Sequence, residues 1–178
     1  LSLGETATAL SEDFETASAP SLPTGWTTTS SGSQQPWATV STNSYDGTNC
    51  AFAPDAAGIG VSDLVSPVMA TGPGISQLTF QQNYDLEDSY DGGVLEIKIG
   101  DGDYTDILDA GGSFAEGGYS GTLATDGGNP LARSMGIGHN HRREAMGRGH
   151  FRILTQSTNV RCSSQGSAGD GRRFTLGD

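Results

Sequence analysis

The chain has 178 residues, a net charge of −12 and a hydrophobic content of 34%. This length makes a single domain the default. The negative charge argues against a nucleic-acid partner, because phosphates would be repelled. No stretch approaches the roughly 20 apolar residues of a membrane span, so membrane insertion is not expected. The 27 glycines suit short strands joined by tight turns.

Charge divides the chain into two parts. Residues 1–132 hold 18 acids and a single base, Lys98, whereas residues 133–178 hold eight arginines and three acids. Cys50 and Cys162 lie on opposite sides of this break, and we do not expect them to form a disulfide. The chain starts at Leu1, without a basic region followed by an apolar run, and is interpreted as a mature product or fragment with any export signal missing.

Short strands are predicted along the first part of the chain, after a linker. Residues 1–10 are small and polar and are interpreted as a linker. Phe14 is predicted to anchor the core from a first strand, and an irregular segment with two prolines separates it from a strand at 26–30. Further strands are predicted at 36–40, 50–53 and 62–69. The last is interpreted as an edge or broken strand, because Pro67 cannot donate to a ladder.

Residues 76–108 carry the clearest pattern. Apolar and polar residues alternate from 76 to 84 and again from 94 to 99, as in half-buried strands. The second run places Leu95, Ile97 and Ile99 inward and Val94 outward. Gly100–Asp103 predicts a hairpin turn into a third strand. With no helical period, the fold class is all-β, a two-sheet antiparallel β-sandwich that buries Phe80, Leu95 and Ile97.

Several segments, in this order, resemble one family. They are EDFE (12–15), LPTGW (22–26), PWATV (36–40), NSYDGTNCAFAPD (43–55), SDLVSP (62–67), LTFQQNYDLE (78–87), DGGVLEIKI (91–99), DILDAGGSF (106–114) and GNPL (128–131). The chain is similar to the bacterial secreted MAM-like or cleaved-adhesin jelly rolls, also called choice-of-anchor domains. The resemblance covers residues 11–132. It implies a non-catalytic extracellular module appended to a larger protein, binding calcium and sometimes glycans or host proteins.

The resemblance ends at Arg133. Residues 133–171 show neither a strand period nor a helical period and are interpreted as an aberrant or disordered basic segment. Residues 172–178 again resemble the family's penultimate strand. One hypothesis is a compensated reading-frame error across 133–171, which the nucleotide sequence would test; the alternative is a genuine basic tail.

The resemblance also implies metal ligands. Glu15, the last acid of the DFE motif, is expected to help bind a structural calcium ion, with Asp91 and Asp13 as further ligands. Calcium takes six to eight oxygens, partly from carboxylates and partly from loop carbonyls. The alternative is a set of solvated acidic loops.

Aromatic residues suggest a glycan surface. Tyr90 and Tyr119 lie in glycine-rich loops and are predicted to be exposed and to stack on sugar rings, whereas Trp26 and Trp37 are predicted to fill the core. The preferred interpretation is an extracellular, non-catalytic module for adhesion, carbohydrate binding or protein binding. The alternatives are a glycoside hydrolase using an acidic pair such as Glu87 and Asp91, and a purely structural spacer.

Overall fold

The computed structural model describes the backbone of residues 8–42, 44–54, 58–71, 75–84, 86, 90–125, 128–131, 135–136, 147–154, 158–165 and 172–175. Side chains are described up to residue 131, except Glu116. All regular elements in this part of the chain are strands, and none of its segments is a helix long and apolar enough to cross a membrane.

Thirteen strands are described, and they confirm the all-β prediction. They are β1 (Thr27–Gly32), β2 (Ala38–Val40), β3 (Cys50–Ala53), β4 (Gly60–Val65), β5 (Ile75–Asn83), β6 (Gly92–Ile99), β7 (Thr105–Asp106), β8 (Ser113–Glu116), β9 (Gly121–Thr122), β10 (Met135–Gly136), β11 (Gly147–Leu154), β12 (Thr158–Gln165) and β13 (Arg172–Thr175). One sheet has the order β1-β4-β12-β6-β7, and the other has the order β2-β3-β13-β5-β11-β8. A small β9-β10 pair completes the set, and every pairing is antiparallel.

The core lies between the two large sheets, in two clusters. The first joins Leu64 of β4 to Ala51 and Ala53 of β3, around the Phe14, Trp26 and Trp37 rings. The second joins Leu95 and Ile97 of β6 to Phe80 of β5 and to Ile107. The predicted burial of Phe80, Leu95 and Ile97, and of both tryptophans, is therefore confirmed. This is the arrangement of a two-sheet antiparallel β-sandwich.

The segment around Phe14 differs from the prediction. Phe14 is buried as expected, but it lies in a turn with a φ of 63°, not in a strand. The Glu12 side chain accepts a hydrogen bond from the Phe14 N–H, and Asp13 Oδ1 accepts one from the Glu15 N–H. Hydrogen bonds from the backbone to nearby side chains, such as that of Asp13, compete with strand formation.

Three further details of the strand predictions differ in the structure. β4 lies inside its sheet, between β1 and β12, so the edge alternative was wrong, whereas the strand is broken before Pro67 as the other alternative predicted. It ends at Val65, so the missing N–H of Pro67 falls beyond the ladder. Val94, predicted to face outward, is buried. Leu123 covers the same side of β6, since a Cβ added at Gly92 would lie 2.5 Å from Leu123 Cδ2. Ile99, predicted inward, is 43% exposed at the end of β6.

The C-terminal strands occupy inner positions of both sheets. β12 lies between β4 and β6, and β13 lies between β3 and β5. Residues 133–171 were predicted to be aberrant or disordered, whereas the structure has β10, β11 and β12 within this range. The domain boundaries and the reading-frame hypothesis stay predictions of the sequence.

Candidate functional site

Several connections meet at one end of the five-stranded sheet. Gly32 at the end of β1 pairs with Gly60 at the start of β4, and Gln165 at the end of β12 pairs with Gly92 at the start of β6. Because neighbouring strands are antiparallel, the segments that follow β1 and precede β4 and β6 all lie at this end. Loops collected at one end of a rigid sandwich are a common place for binding residues.

The segment before β4 is held firmly at this end. The Ser33 N–H donates to the Ile59 carbonyl at 2.9 Å, and Gln34 Nε2 donates to the Gly58 carbonyl at 3.1 Å. Gln34 is buried, whereas the Ile59 side chain is 52% exposed. These hydrogen bonds fix the backbone that carries the solvent-exposed Ile59 side chain.

The segment before β6 is fixed in a similar way. Asn129 Nδ2 donates to the Tyr90 carbonyl at 2.9 Å, and Asn129 Oδ1 accepts from the Leu131 N–H at 2.8 Å. Asn129 is buried, while Tyr90 is 42% exposed. The predicted exposure of Tyr90 is confirmed, and its ring is carried on an anchored backbone.

Residues 128–131 connect these two places. A Cβ added at Gly128 would lie 3.6 Å from Ile59 Cδ1, and the next residue bonds Tyr90. The strands that follow Ile59 and Tyr90 are separated by β12, which corresponds to two inter-strand steps, or about 10 Å. We call Ile59, Tyr90, Gly128 and Asn129 the loop-end surface. It presents an aromatic ring and an aliphatic side chain on a fixed backbone.

Asp91 lies directly below this surface. It is only 1% exposed, although it follows the exposed Tyr90. A carboxylate at such a depth requires polar or charged compensation within the protein. Asp91 is therefore a buried group at the base of the loop-end surface instead of a solvated acid of an open loop.

Glu15 forms a carboxylate clasp with the turn before β3. Its Oε1 accepts hydrogen bonds from the Thr48 and Asn49 N–H groups, both at 2.6 Å. Asn49 Nδ2 in turn donates to the carbonyls of Phe14 and Ala17. The clasp ties the N-terminal segment to the start of β3, and Gly47 permits the close approach, because a Cβ there would lie 2.6 Å from Glu15 Oε1.

The three predicted calcium ligands do not meet. β3 and β5 run in the same direction, since both are antiparallel to β13. The clasp precedes β3, whereas Asp91 lies in the connection that follows β5, at the opposite end of these strands. Among the described residues, no three His, Cys, Asp or Glu side chains come together as a group that could hold a metal ion. As placed, these residues do not fit a shared calcium site, and calcium stays a prediction of the resemblance.

Tyr119 is placed differently from Tyr90. It is only partly exposed and packs edge-on against Phe114, with 4.8 Å between ring centroids. Its hydroxyl accepts from the Leu95 N–H at 2.9 Å and lies 2.7 Å from Asp106 Oδ2, to which it donates. The predicted open exposure of Tyr119 is therefore wrong, because its hydroxyl is used to connect the sheet to the segment after β8.

Two other tyrosines have exposed rings. Tyr45 is 45% exposed in the turn next to the clasp. Tyr84 follows β5, and its partial burial raises the pKa of its hydroxyl by desolvation. Neither belongs to the loop-end surface as defined by the contacts above.

Some predicted residues cannot be placed. Glu87, one acid of the glycosidase alternative, lies outside the described residues, whereas the other acid, Asp91, is described and buried. Conversely, Ile59 and Asn129 were not predicted. The GNPL turn and the glycines beside Ile59 were the available sequence signals for these two residues. The sequence does not show that Ile59 and Asn129 lie close together, because this depends on the order of strands in the sheet.

Comparisons with known proteins bear on the fold. No protein-family model matches the chain, and no curated protein matches it. Among solved structures, it is similar to the K1 cleaved adhesin domain of Lys-gingipain from Porphyromonas gingivalis W83, with 14% identity, a TM-score of 0.55 and 96% coverage of each chain. The K3 domain of the same protein matches with 14% identity, a TM-score of 0.53 and coverage of 96% of this chain and 95% of that one.

A carbohydrate-binding module has a similar structure. TmCBM61, solved in complex with beta-1,4-galactotriose, matches with 11% identity, a TM-score of 0.55 and 86% coverage of each chain. At these identities the likeness concerns the fold alone. The chain therefore has a β-sandwich fold like that of cleaved adhesin domains and of this carbohydrate-binding module.

Proposed function

We propose that this chain is a non-catalytic extracellular module that binds glycans through its loop-end surface. The observation that carries the proposal is the exposed Tyr90 ring, held on a backbone that buried Asn129 anchors. An aromatic face packs against the apolar face of a sugar ring, and a fixed position lowers the entropic cost of binding. Ile59, about 10 Å away by strand spacing, supplies a second apolar contact.

The fold supports this proposal without specifying the sugar. Similar sandwiches include a carbohydrate-binding module solved with a galactotriose and the cleaved adhesin domains of a gingipain. Fold likeness alone does not transfer a function. The proposal therefore rests on the loop-end surface, and β-1,4-galactan is chosen as the first probe because of the galactotriose complex.

The test compares two exposed tyrosines. The wild-type chain, Tyr90→Ala and Tyr45→Ala are run in affinity gels containing β-1,4-galactan and then on a glycan array. We expect Tyr90→Ala to lose at least tenfold in affinity and Tyr45→Ala to remain within twofold of wild type, because Tyr45 lies beside the clasp. Equal losses, or no glycan binding by the wild type, would contradict the proposal. No release of reducing ends is expected; such release would favour the glycosidase alternative.

A further inference from the structure

The six-stranded sheet has an outer face that the proposed function does not use. In β5, Leu78 and Phe80 face the core, and the residues that alternate with them, Gln77, Thr79, Gln81 and Asn83, lie on the other face. These four residues form a row of amide and hydroxyl groups along a strand inside the sheet. Amides and hydroxyls both donate and accept hydrogen bonds, which suits a hydroxyl-rich ligand.

Gln81 marks the middle of this row. It is only 7% exposed, and its Oε1 has no hydrogen-bond partner within the part of the chain that the structure describes. Buried acceptors of this kind are rare in folded proteins and call for an explanation. A donor supplied by a ligand on this face would satisfy the Gln81 oxygen.

Basic residues occupy the neighbouring register positions. In β11, Arg148 pairs with Gln81, His150 with Thr79 and Arg152 with Gln77. In β13, Arg173 pairs with Asn83. Residues paired in register share a face of an antiparallel sheet. Three of the eight arginines of the chain therefore belong to this face, and one acid, Glu116, pairs with His150.

We propose that this face is a second binding surface and that its ligand is an anionic polysaccharide. Arginine forms paired, charge-assisted hydrogen bonds with carboxylate and sulfate oxygens, while the amide row bonds sugar hydroxyls. The net charge of −12 repels a polyanion from most of the protein. Charge complementarity therefore directs such a ligand to this sheet face and away from the acidic loops.

The test uses three polysaccharides and matched arginine variants. Binding of the full chain to polygalacturonate, which carries carboxylates, to dextran sulfate and to neutral β-1,4-galactan is measured by calorimetry at low and high salt. Binding to at least one polyanion is expected, weakened by salt because the Coulomb attraction is screened. Polygalacturonate and dextran sulfate identify which anionic group is preferred.

Variants locate the surface. The Arg148→Gln/Arg152→Gln double variant is expected to lose at least tenfold in polyanion affinity, and Gln81→Leu severalfold. The control Arg161→Gln, which removes a positive charge from β12 in the other sheet, should stay within twofold, and thermal unfolding checks that each variant is folded. Absence of polyanion binding, or an equal loss in Arg161→Gln, would overturn the proposal. Tyr90→Ala should leave polyanion binding unchanged, which separates this surface from the loop-end surface.

Discussion

Asn129 Nδ2 donates a hydrogen bond to the carbonyl of Tyr90, with 2.9 Å between the two atoms. The two residues are far apart in the sequence and meet only because residues 128–131 pass over the end of β12. One buried amide therefore fixes the position of the exposed ring on which the proposed glycan site depends. The oxygen of the same side-chain amide, Asn129 Oδ1, accepts a hydrogen bond from the Leu131 N–H.

The first prediction separates these two bonds. Asn129→Asp keeps the Oδ1 acceptor for Leu131 but removes the Nδ2 donor to Tyr90. We expect galactan affinity to fall about as far as in Tyr90→Ala, with a loss of stability of about 1–2 kcal/mol from the unmade hydrogen bond. Calorimetry and urea unfolding measure the two effects. The control is Asn49→Asp, which removes amide bonds to the carbonyls of Phe14 and Ala17 away from the loop-end surface; unchanged galactan binding in Asn129→Asp would contradict the anchoring role.

The second prediction concerns the clasp. Glu15→Gln replaces a charged acceptor by a neutral one at two short N–H contacts, so we expect a loss of about 1 kcal/mol, given the exposure of the carboxylate. Because both hydrogen bonds join protein groups and need no metal ion, the loss of stability should be equal in EDTA and in calcium. Asp103→Asn, an exposed acid in the β6–β7 turn, serves as the control. A rise in Tm with calcium that Glu15→Gln abolishes would instead support the calcium prediction.

The third prediction concerns Tyr119. Tyr119→Phe leaves the Leu95 N–H without its hydroxyl acceptor and removes the bond to Asp106. An unsatisfied buried N–H costs about 1–3 kcal/mol, so urea unfolding should show a loss of this size. Galactan affinity should not change, because the hydroxyl is used inside the fold. Tyr104→Phe is the matched control. A loss of glycan binding without a loss of stability would restore the original prediction that Tyr119 is a ligand-binding residue.

The fourth prediction concerns the C-terminal strands. A chain that ends at Ala132 lacks β10 to β13, so β3, β4 and β6 each lose one neighbouring strand and β5 loses both of its neighbours. We expect this truncated chain to show no cooperative thermal unfolding and a weak near-ultraviolet circular dichroism signal. Cooperative unfolding at the Tm of the full chain would show that residues 11–132 form a complete domain, as the resemblance implied.

Local patterns predicted much of the fold. Alternation in residues 76–84 and 94–99 correctly predicted β5 and β6 and the burial of Phe80, Leu95 and Ile97, because each strand hides one face. The burial of Val94 was not predictable in this way, since Leu123 covers Gly92 from a distant part of the chain. The turn at Phe14 was missed because side-chain bonds to the backbone outweighed its strand-like composition.

The candidate sites depended even more on distant residues. Tyr90 could be chosen from its glycine-rich surroundings, but Ile59 and Asn129 join it only through the order of strands in the sheet. The apparent lack of a strand period after Arg133 led to the prediction of disorder. The alternation of apolar and polar residues in β11 is short, with Phe151 and Ile153 on either side of Arg152. The many basic residues around it make this pattern hard to recognise.

The inner positions of β12 and β13 have a consequence for biosynthesis. The five-stranded sheet cannot become continuous until the ribosome has produced β12, which ends at Gln165, and the six-stranded sheet cannot until β13 is made, which ends at Thr175. Until these two strands are made, one backbone edge each of β3, β4, β5 and β6 remains open to pairing with other chains. The two sheets therefore gain their full hydrogen bonding late in synthesis, because strands far apart in the sequence must first be brought together.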